Sequence, residues 1–254
     1  MSRFSNKVVL VTGAASGIGE SAARRFGEEG ASVVLADMNG EGLDRVAAGI
    51  GADRTLARVA DLSNADRCRE VAAAAIERFG RLDVLINNAG KDHLGRVDEG
   101  DIGDFSTIIE TDLYGVFYMT RFALPHLRES RGCIVNVSSV SGLGGDWNHS
   151  FYCAAKGAVT NFTRAVAMDE AAHGVRVNAV NPTLVYTPFT VGMQDQPELV
   201  AKFNERIPMG RGAQPDDISG VIAFLASEDA RFVTGVNLPV DGGLSASNGQ
   251  PKLS

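Results

Sequence analysis

Tyr152 and Lys156 stand four residues apart in the stretch Ser150-Phe-Tyr-Cys-Ala-Ala-Lys156. Alanines at 154, 155 and 158 favour a helix from about Ser150 to His173. On a helix, positions i and i+4 share a face, roughly 6 Å apart. A phenol and an ammonium held that way form an acid/base device. Free tyrosine ionises near pH 10, so about one phenol in a thousand is charged at neutral pH. A cation one turn away favours the phenolate. Bringing the phenol to about pH 7 takes roughly 4 kcal/mol, which asks for a second positive charge besides Lys156. The same spacing also fits an amphipathic tyrosine beside a snorkelling lysine, so the pair is read with its neighbours.

Such a pair needs a rigid frame. The segments Lys7 to Thr12, Ser32 to Asp37, Arg54 to Ala60, Leu82 to Ile86, Gly132 to Val137, Val175 to Val180 and Gly235 to Val240 read as short apolar strands. Helical stretches run from Glu20 to Glu29, Gly40 to Ile50, Ser63 to Phe79 and Ile102 to Glu129, the last with a break expected near Gly115 or Pro125. Another spans Pro215 to Leu225, with proline at its start. The alternation predicts an α/β fold: a single-domain, Rossmann-like, doubly wound parallel sheet of about seven strands with helices on both faces. One domain covers residues 1–254, with a lid or substrate loop at about 183–211 and a polar tail at 245–254.

With 254 residues, 44% hydrophobic and 22% charged, the chain has the composition of an ordinary globular protein. A net charge of −7 and the lack of any basic run argue against nucleic acid and anionic membrane surfaces as partners. No apolar run reaches membrane-span length. Met1 to Lys7 shows no signal-peptide core, and Cys68, Cys133 and Cys153 are odd in number and widely spaced. Together these point to a reducing, cytoplasmic location. Cys153 lacks an obvious base and reads as structural. The four histidines have no metal-ligand spacing, so no metal is expected.

The loop after the first strand, Gly13-Ala-Ala-Ser-Gly17-Ile-Gly19, opens a helix. Glycines there admit a pyrophosphate close to the backbone, and the helix start supplies N–H donors. The spacing differs from the usual Gly-x-Gly-x2-Gly dinucleotide fingerprint. Asp37 ends the second strand, where an acid binds the adenosine ribose and repels a 2′-phosphate, so NAD is expected over NADP. Asp61, with Leu62, ends the third strand and is expected near the adenine; it also fits a helix-start aspartate. Asn87-Asn88-Ala89-Gly90 ends the fourth. Ser138-Ser139 ends the fifth, thirteen residues before Tyr152 in the case of Ser139.

Taken in order, Thr12-Gly-x3-Gly17-x-Gly19, Asn87-Asn-Ala-Gly90, Ser139, Tyr152-x3-Lys156 and Asn181-Pro182 resemble the short-chain dehydrogenase/reductase family over essentially the whole chain. The resemblance implies that Ser139 hydrogen-bonds the substrate oxygen. It makes Tyr152 the general base of alcohol oxidation and the general acid of ketone reduction. Lys156 would lower the tyrosine pKa and hold the nicotinamide ribose. Gly13, Ser16, Gly17, Ile18, Gly19, Asn88, Ala89 and Gly90 would contact NAD, with Pro182, Val185 and Thr187 at its nicotinamide end. A homotetramer is also implied.

Two positions depart from the family pattern. Asp112-Leu-Tyr-Gly115 stands where the family usually has Asn-Leu-x-Gly, and Asn181-Pro-Thr183 replaces Asn-Pro-Gly. Asp112 is expected in the proton-relay position, paired with Lys156. The segment from Gly132 to Trp147 and the tail from Val240 to Lys252 are similar to bacterial 2,3-butanediol (acetoin) dehydrogenases. That implies a small vicinal diol or hydroxyketone as substrate, near Ser139, Tyr152, Trp147, Asn148, Phe151 and Phe189. Other carbonyl classes (sugar alcohols, cyclic alcohols, 3-oxoacyl substrates) and a non-catalytic dinucleotide sensor remain as alternatives.

Overall fold

The computed structural model describes residues 2–250. Seven strands form one parallel sheet: β1 (Val8–Thr12), β2 (Ser32–Asp37), β3 (Thr55–Val59), β4 (Val84–Asn87), β5 (Cys133–Val137), β6 (Arg176–Pro182) and β7 (Asn237–Val240). Their order is β3-β2-β1-β4-β5-β6-β7. The direction of winding reverses between β1 and β4, which opens a crevice at their carboxyl ends.

The strands read as unbroken apolar runs because both faces are covered. In β1 every residue is buried; Val9 and Val11 face one core while Val8 and Leu10 face the other. On the first face lie α1 (Gly17–Glu28), α2 (Gly40–Ile50) and α9 (Pro215–Ala226), through Phe26, Val46 and Ile222 among others. On the second lie α3 (Ala65–Phe79), α5 (Gly115–Ser130) and α6 (Ser150–Glu170), through Val71, Met119 and Ala167.

The expected long helix is two helices fused through a wider turn. α4 (Ile102–Ile108) passes into a π-helical segment, Ile109–Tyr114, and then into α5. Pro125 does not interrupt α5: it lies on the exposed side, where the carbonyl it leaves unpaired can reach water. β6 extends two residues beyond expectation, because Asn181 and Pro182 pair with Pro239 and Val240 of β7. Proline is tolerated in β7, which is the sheet's edge. The long connection at 183–211 is not irregular chain. It carries a 3-10 turn (Pro188–Thr190), α7 (Val191–Gln194) and α8 (Pro197–Arg206). Residues 245–250 of the tail are mostly exposed, and residues 251–254 of that expected tail fall outside the described residues.

Candidate active site

A cleft of about 320 Å³ opens at the carboxyl ends of the strands. A larger cavity, about 560 Å³, lies at the opposite, amino ends, lined by Lys7, Asp83, Cys133 and Arg176 among others. It holds none of the candidate site residues. Ligands of doubly wound sheets bind at the carboxyl ends, and the chemistry-bearing groups collect there.

One side of the cleft is the glycine turn. Gly13 and Gly17 have φ of +65° and +56°, a conformation that L side chains rarely adopt. A Cβ on Gly19 would stand 2.5 Å from Asn88 Nδ2 and collide with the Gly13 carbonyl. Asn88 latches this turn by donating from Nδ2 to the carbonyls of Thr12 (3.0 Å) and Gly13 (3.2 Å). The Thr12 hydroxyl accepts from the N–H groups of Asn88 (2.9 Å) and Ala89 (3.1 Å) and donates to the Ile86 carbonyl (3.2 Å). Ser16, at the N-cap of α1, makes no side-chain cap, so first-turn N–H groups are free for an anion. Asp37 is held by Ala15 N–H (3.1 Å) and Asn39 N–H (2.9 Å). A bare cradle, an uncapped helix start and a fixed carboxylate fit a dinucleotide.

Across the cleft stand Ser139, Tyr152 and Lys156. Ser139 ends β5's extension; its hydroxyl accepts from Ser141 N–H (3.1 Å), and its carbonyl accepts from Asn181 Nδ2 (2.8 Å). Ser138 ties β5 to α6 by donating to the Lys156 carbonyl (3.1 Å) and sharing a hydrogen bond with Thr160 (2.8 Å). Deeper still, Asn87 Nδ2 donates to Asn136 (2.9 Å), and Asn136 Nδ2 donates to Thr163 on α6 (2.9 Å). This buried string fixes α6, and with it Tyr152, against the sheet.

Lys156 is buried; its Nζ donates to the Val137 carbonyl (3.3 Å) and lies 3.0 Å from Asp112 Oδ2. Asp112 is fully buried, and its other oxygen accepts from Lys91 N–H at 2.7 Å. The π segment delivers it there. Burial works to lower Lys156, but Asp112 and then Tyr152 outweigh it, and the ammonium is held above its ordinary pKa. Lys156 Nζ lies 5.5 Å from the centre of the Tyr152 ring.

Lys156 pulls the Tyr152 phenol down, but it is not the largest influence on it. Burial pushes its pKa up more than Lys156 and the Ser139 hydroxyl pull it down, and Asp112 and Asp92 add to the rise. The cation beside the phenol is offset in part by its own carboxylate, whose push on Tyr152 is smaller than the lysine's pull. A positive ring in the cleft is therefore needed even more than the sequence reading required.

The cleft lining joins the expected Gly13, Ser16, Gly17, Ile18 and Asp37 to Asn88, Ala89 and Gly90. From the other half come Pro182, Val185, Thr187 and Phe189. Gly19 sits behind the turn, and Asp112 behind Lys156. Other expected residues are not brought into this lining. Asp61 accepts from the N–H and hydroxyl of Ser63 (3.0 and 2.8 Å), forming its own helix-start turn. Leu62 is core, with Gly115 packed on its carbonyl. Trp147 is 90% exposed, and Asn148 occupies a turn at φ +59°. Phe151 is buried with Ile108 and Ala155.

Two participants escaped the sequence reading. Thr12 was read as part of a motif without a role, although a hydroxyl at a strand end beside the glycine turn was a usable signal. His149 gave none: its ring centre lies 6.0 Å from that of Tyr152, and Nε2 lies 3.4 Å from Asp92. The Asp92 carboxylate, as acceptor for the protonated ring, holds the imidazole above the ordinary range.

The family model described as "Enoyl-(Acyl carrier protein) reductase" matches residues 13–245. The chain is 52% identical to meso-2,3-butanediol dehydrogenase of Serratia marcescens, covering 99% of each chain. It is 40% identical to trans-4-hydroxycyclohexanecarboxylate dehydrogenase of Sinomonas cyclohexanicum, covering 97% of this chain and 95% of the relative. Among solved structures, 3-ketoacyl-(acyl-carrier-protein) reductase from Brucella melitensis, complexed with NADH, superposes with a TM-score of 0.89 at 39% identity. That alignment covers 95% of this chain and 99% of that one.

Proposed function

The chain belongs to the short-chain dehydrogenase/reductase family, and from that premise we propose an NAD-dependent dehydrogenase that interconverts a small secondary alcohol and its ketone. The substrate class is a vicinal diol such as 2,3-butanediol, with acetoin or diacetyl as the oxidised partner. The observation that carries the reading is Ser139, Tyr152 and Lys156 meeting in one cleft opposite Asp37.

When bound, the nicotinamide accepts or returns a hydride. The protein's own groups manage the proton. The Ser139 hydroxyl orients the substrate oxygen. Tyr152 takes the hydroxyl proton during oxidation and returns it during reduction. Lys156, kept charged by Asp112, favours the phenolate. Burial excludes water from that exchange. At the other end, Asp37 accepts from ribose hydroxyls and repels a 2′-phosphate. The glycine turn admits the pyrophosphate.

The diol class is supported by the 52% identity to a butanediol dehydrogenase. It is also supported by a lining whose lysine is already paired and which contains no arginine. A carboxylated or phosphorylated substrate would want such a cation. A second reading, a cyclic-alcohol or 3-oxoacyl substrate, is favoured by the names of the other relatives. A panel of 2,3-butanediol, acetoin, cyclohexanols and 3-oxoacyl thioesters, each with NAD(H) and NADP(H), tests both. Fast turnover of another class without turnover of butanediol or acetoin sinks the diol reading.

The proposal includes a cytoplasmic homotetramer. Three free thiols, with Cys68 pushed up to about 12 by burial, suit a reducing compartment. Exposed Tyr114, Phe117 and Met168 give the α5 and α6 region an apolar surface that a second copy would cover. Light scattering of the purified protein gives its mass; a monomer at micromolar concentration removes the tetramer.

A further inference from the structure

Arg45, on α2, grips Glu20, on α1, with both guanidinium nitrogens: Nη2 lies 2.6 Å from Oε2, and Nη1 reaches Oε1. Glu20 Oε1 also accepts from Arg24 Nε at 2.9 Å. The same Arg45 Nη2 donates to the Ala15 carbonyl at 2.9 Å. Ala15 in turn donates its N–H to Asp37 Oδ2 at 3.1 Å. A single residue of the glycine turn thus stands between a guanidinium and the carboxylate read as the ribose anchor. Standard bond lengths put Arg45 Nη2 at most about 10 Å from Asp37 Oδ2. The base of Arg45 is fixed there, because α2 packs on the turn so closely that a Cβ on Gly42 would stand 2.7 Å from Ala15 Cβ.

An arginine beside the adenosine ribose is the group that accepts a 2′-phosphate, by a charge-assisted and bidentate contact. Here it is already occupied. Glu20 is held below the usual carboxylate range, chiefly by its hydrogen bond from Arg45, with burial opposing. It is therefore charged at neutral pH.

We infer that Glu20 is a cofactor-specificity residue acting through Arg45: by pairing with that guanidinium it withholds the cation from a 2′-phosphate, a second barrier beside the repulsion from Asp37. The inference rests on the NAD reading above. It assigns a role to a residue outside the cleft lining.

The test is direct binding, independent of turnover. Glu20→Gln is made in the wild type and in Asp37→Ser, with Arg45→Ala added to each. Kd values for NADPH and NADH come from fluorescence titration of the full-length protein at low and high salt. In the Asp37→Ser background, Glu20→Gln is expected to tighten NADPH by a further factor of about ten, the worth of about one charge-assisted hydrogen bond. The gain should vanish on adding Arg45→Ala and shrink at high salt. Within each background, Glu20→Gln should leave the NADH Kd within about twofold of its parent, and a cooperative thermal melt shows that each variant is folded. If Asp37→Ser does not fold, Asp37→Asn replaces it. An NADPH-to-NADH ratio unmoved by Glu20→Gln in that background, or a gain that survives Arg45→Ala, overturns the inference alone. Wild-type protein that binds NADPH more tightly than NADH overturns the NAD reading beneath it.

Discussion

Replacing Lys156 by methionine keeps an unbranched stem and removes the charge. In the structure that charge lies 5.5 Å from the centre of the Tyr152 ring, and the lysine is 4% exposed. At an effective dielectric of about 20, a unit charge at that distance is worth about 3 kcal/mol to a phenolate, or about two pH units. Alcohol oxidation needs the phenolate. The acid limb of kcat against pH, where activity is lost as the phenolate takes up a proton, is therefore expected to move up by about two pH units, and kcat at pH values below both limbs to fall roughly a hundredfold. Asp112, stripped of its ammonium, pushes in the same direction, because its charge also opposes the phenolate. The assay is NADH formation across the pH range, with a thermal melt and an NADH titration on each variant. The double variant Asp112→Asn/Lys156→Met avoids a bare buried carboxylate; its limb should still rise, by less. A limb that stays within about 0.3 pH unit of wild type, in variants that melt cooperatively and bind NADH, would refute the electrostatic coupling of Lys156 to Tyr152.

Tyr152→Phe removes the proton carrier and little volume, so kcat should fall by about 10²- to 10⁴-fold while the NADH Kd stays close to wild type; turnover near the native rate would exclude Tyr152 as acid/base. Gly19→Ala places a methyl 2.5 Å from Asn88 Nδ2 and against the Gly13 carbonyl, whereas Gly144 has nothing within 4 Å. The first should cost about 1–3 kcal/mol of stability and weaken NADH binding, the second neither; equal melting temperatures and equal Kd values would contradict the packing described for the turn. Asp112→Leu leaves Lys156 buried without a partner and should cost about 3–5 kcal/mol in urea unfolding at pH 7. Lys156 is held above its ordinary value of 10.5. The pair's contribution is thus fully present below that pH and is lost as pH rises through the folded value. The deficit of the variant should shrink toward high pH, and one that grows would contradict the pairing.

The sheet was readable because its strands are covered on both faces; Val8 to Thr12 leaves no polar position to obscure the period. The site was readable where backbone geometry fixes residue type, as at Gly13 and Gly17. It was less readable where function depends on depth. Tyr152 next to Lys156 looks like an acidified phenol on paper, but only the folded chain shows that burial is the larger influence and that Asp112 answers the ammonium. Asp61 and Asp37 both end strands and look alike in sequence. One folds back on Ser63, while the other is turned toward Ala15. The resemblance to butanediol dehydrogenases implies Trp147 near the substrate, yet beside the turn at Asn148 it is exposed to solvent. The π segment at 109–114 leaves no mark on a helical pattern, because one wide turn alters the period over too few residues to register.

That wide turn carries a consequence for how the ion pair is inherited. Each helical residue advances the chain by about 100°. Deleting one residue between Asp112 and Gly115 would let α4 and α5 merge into a single regular rod, while swinging the carboxylate about a quarter-turn away from the ammonium. The counterion of Lys156 therefore depends on chain length at one locus as much as on the aspartate itself. A one-codon deletion could remove it while every residue named in the site stayed unchanged.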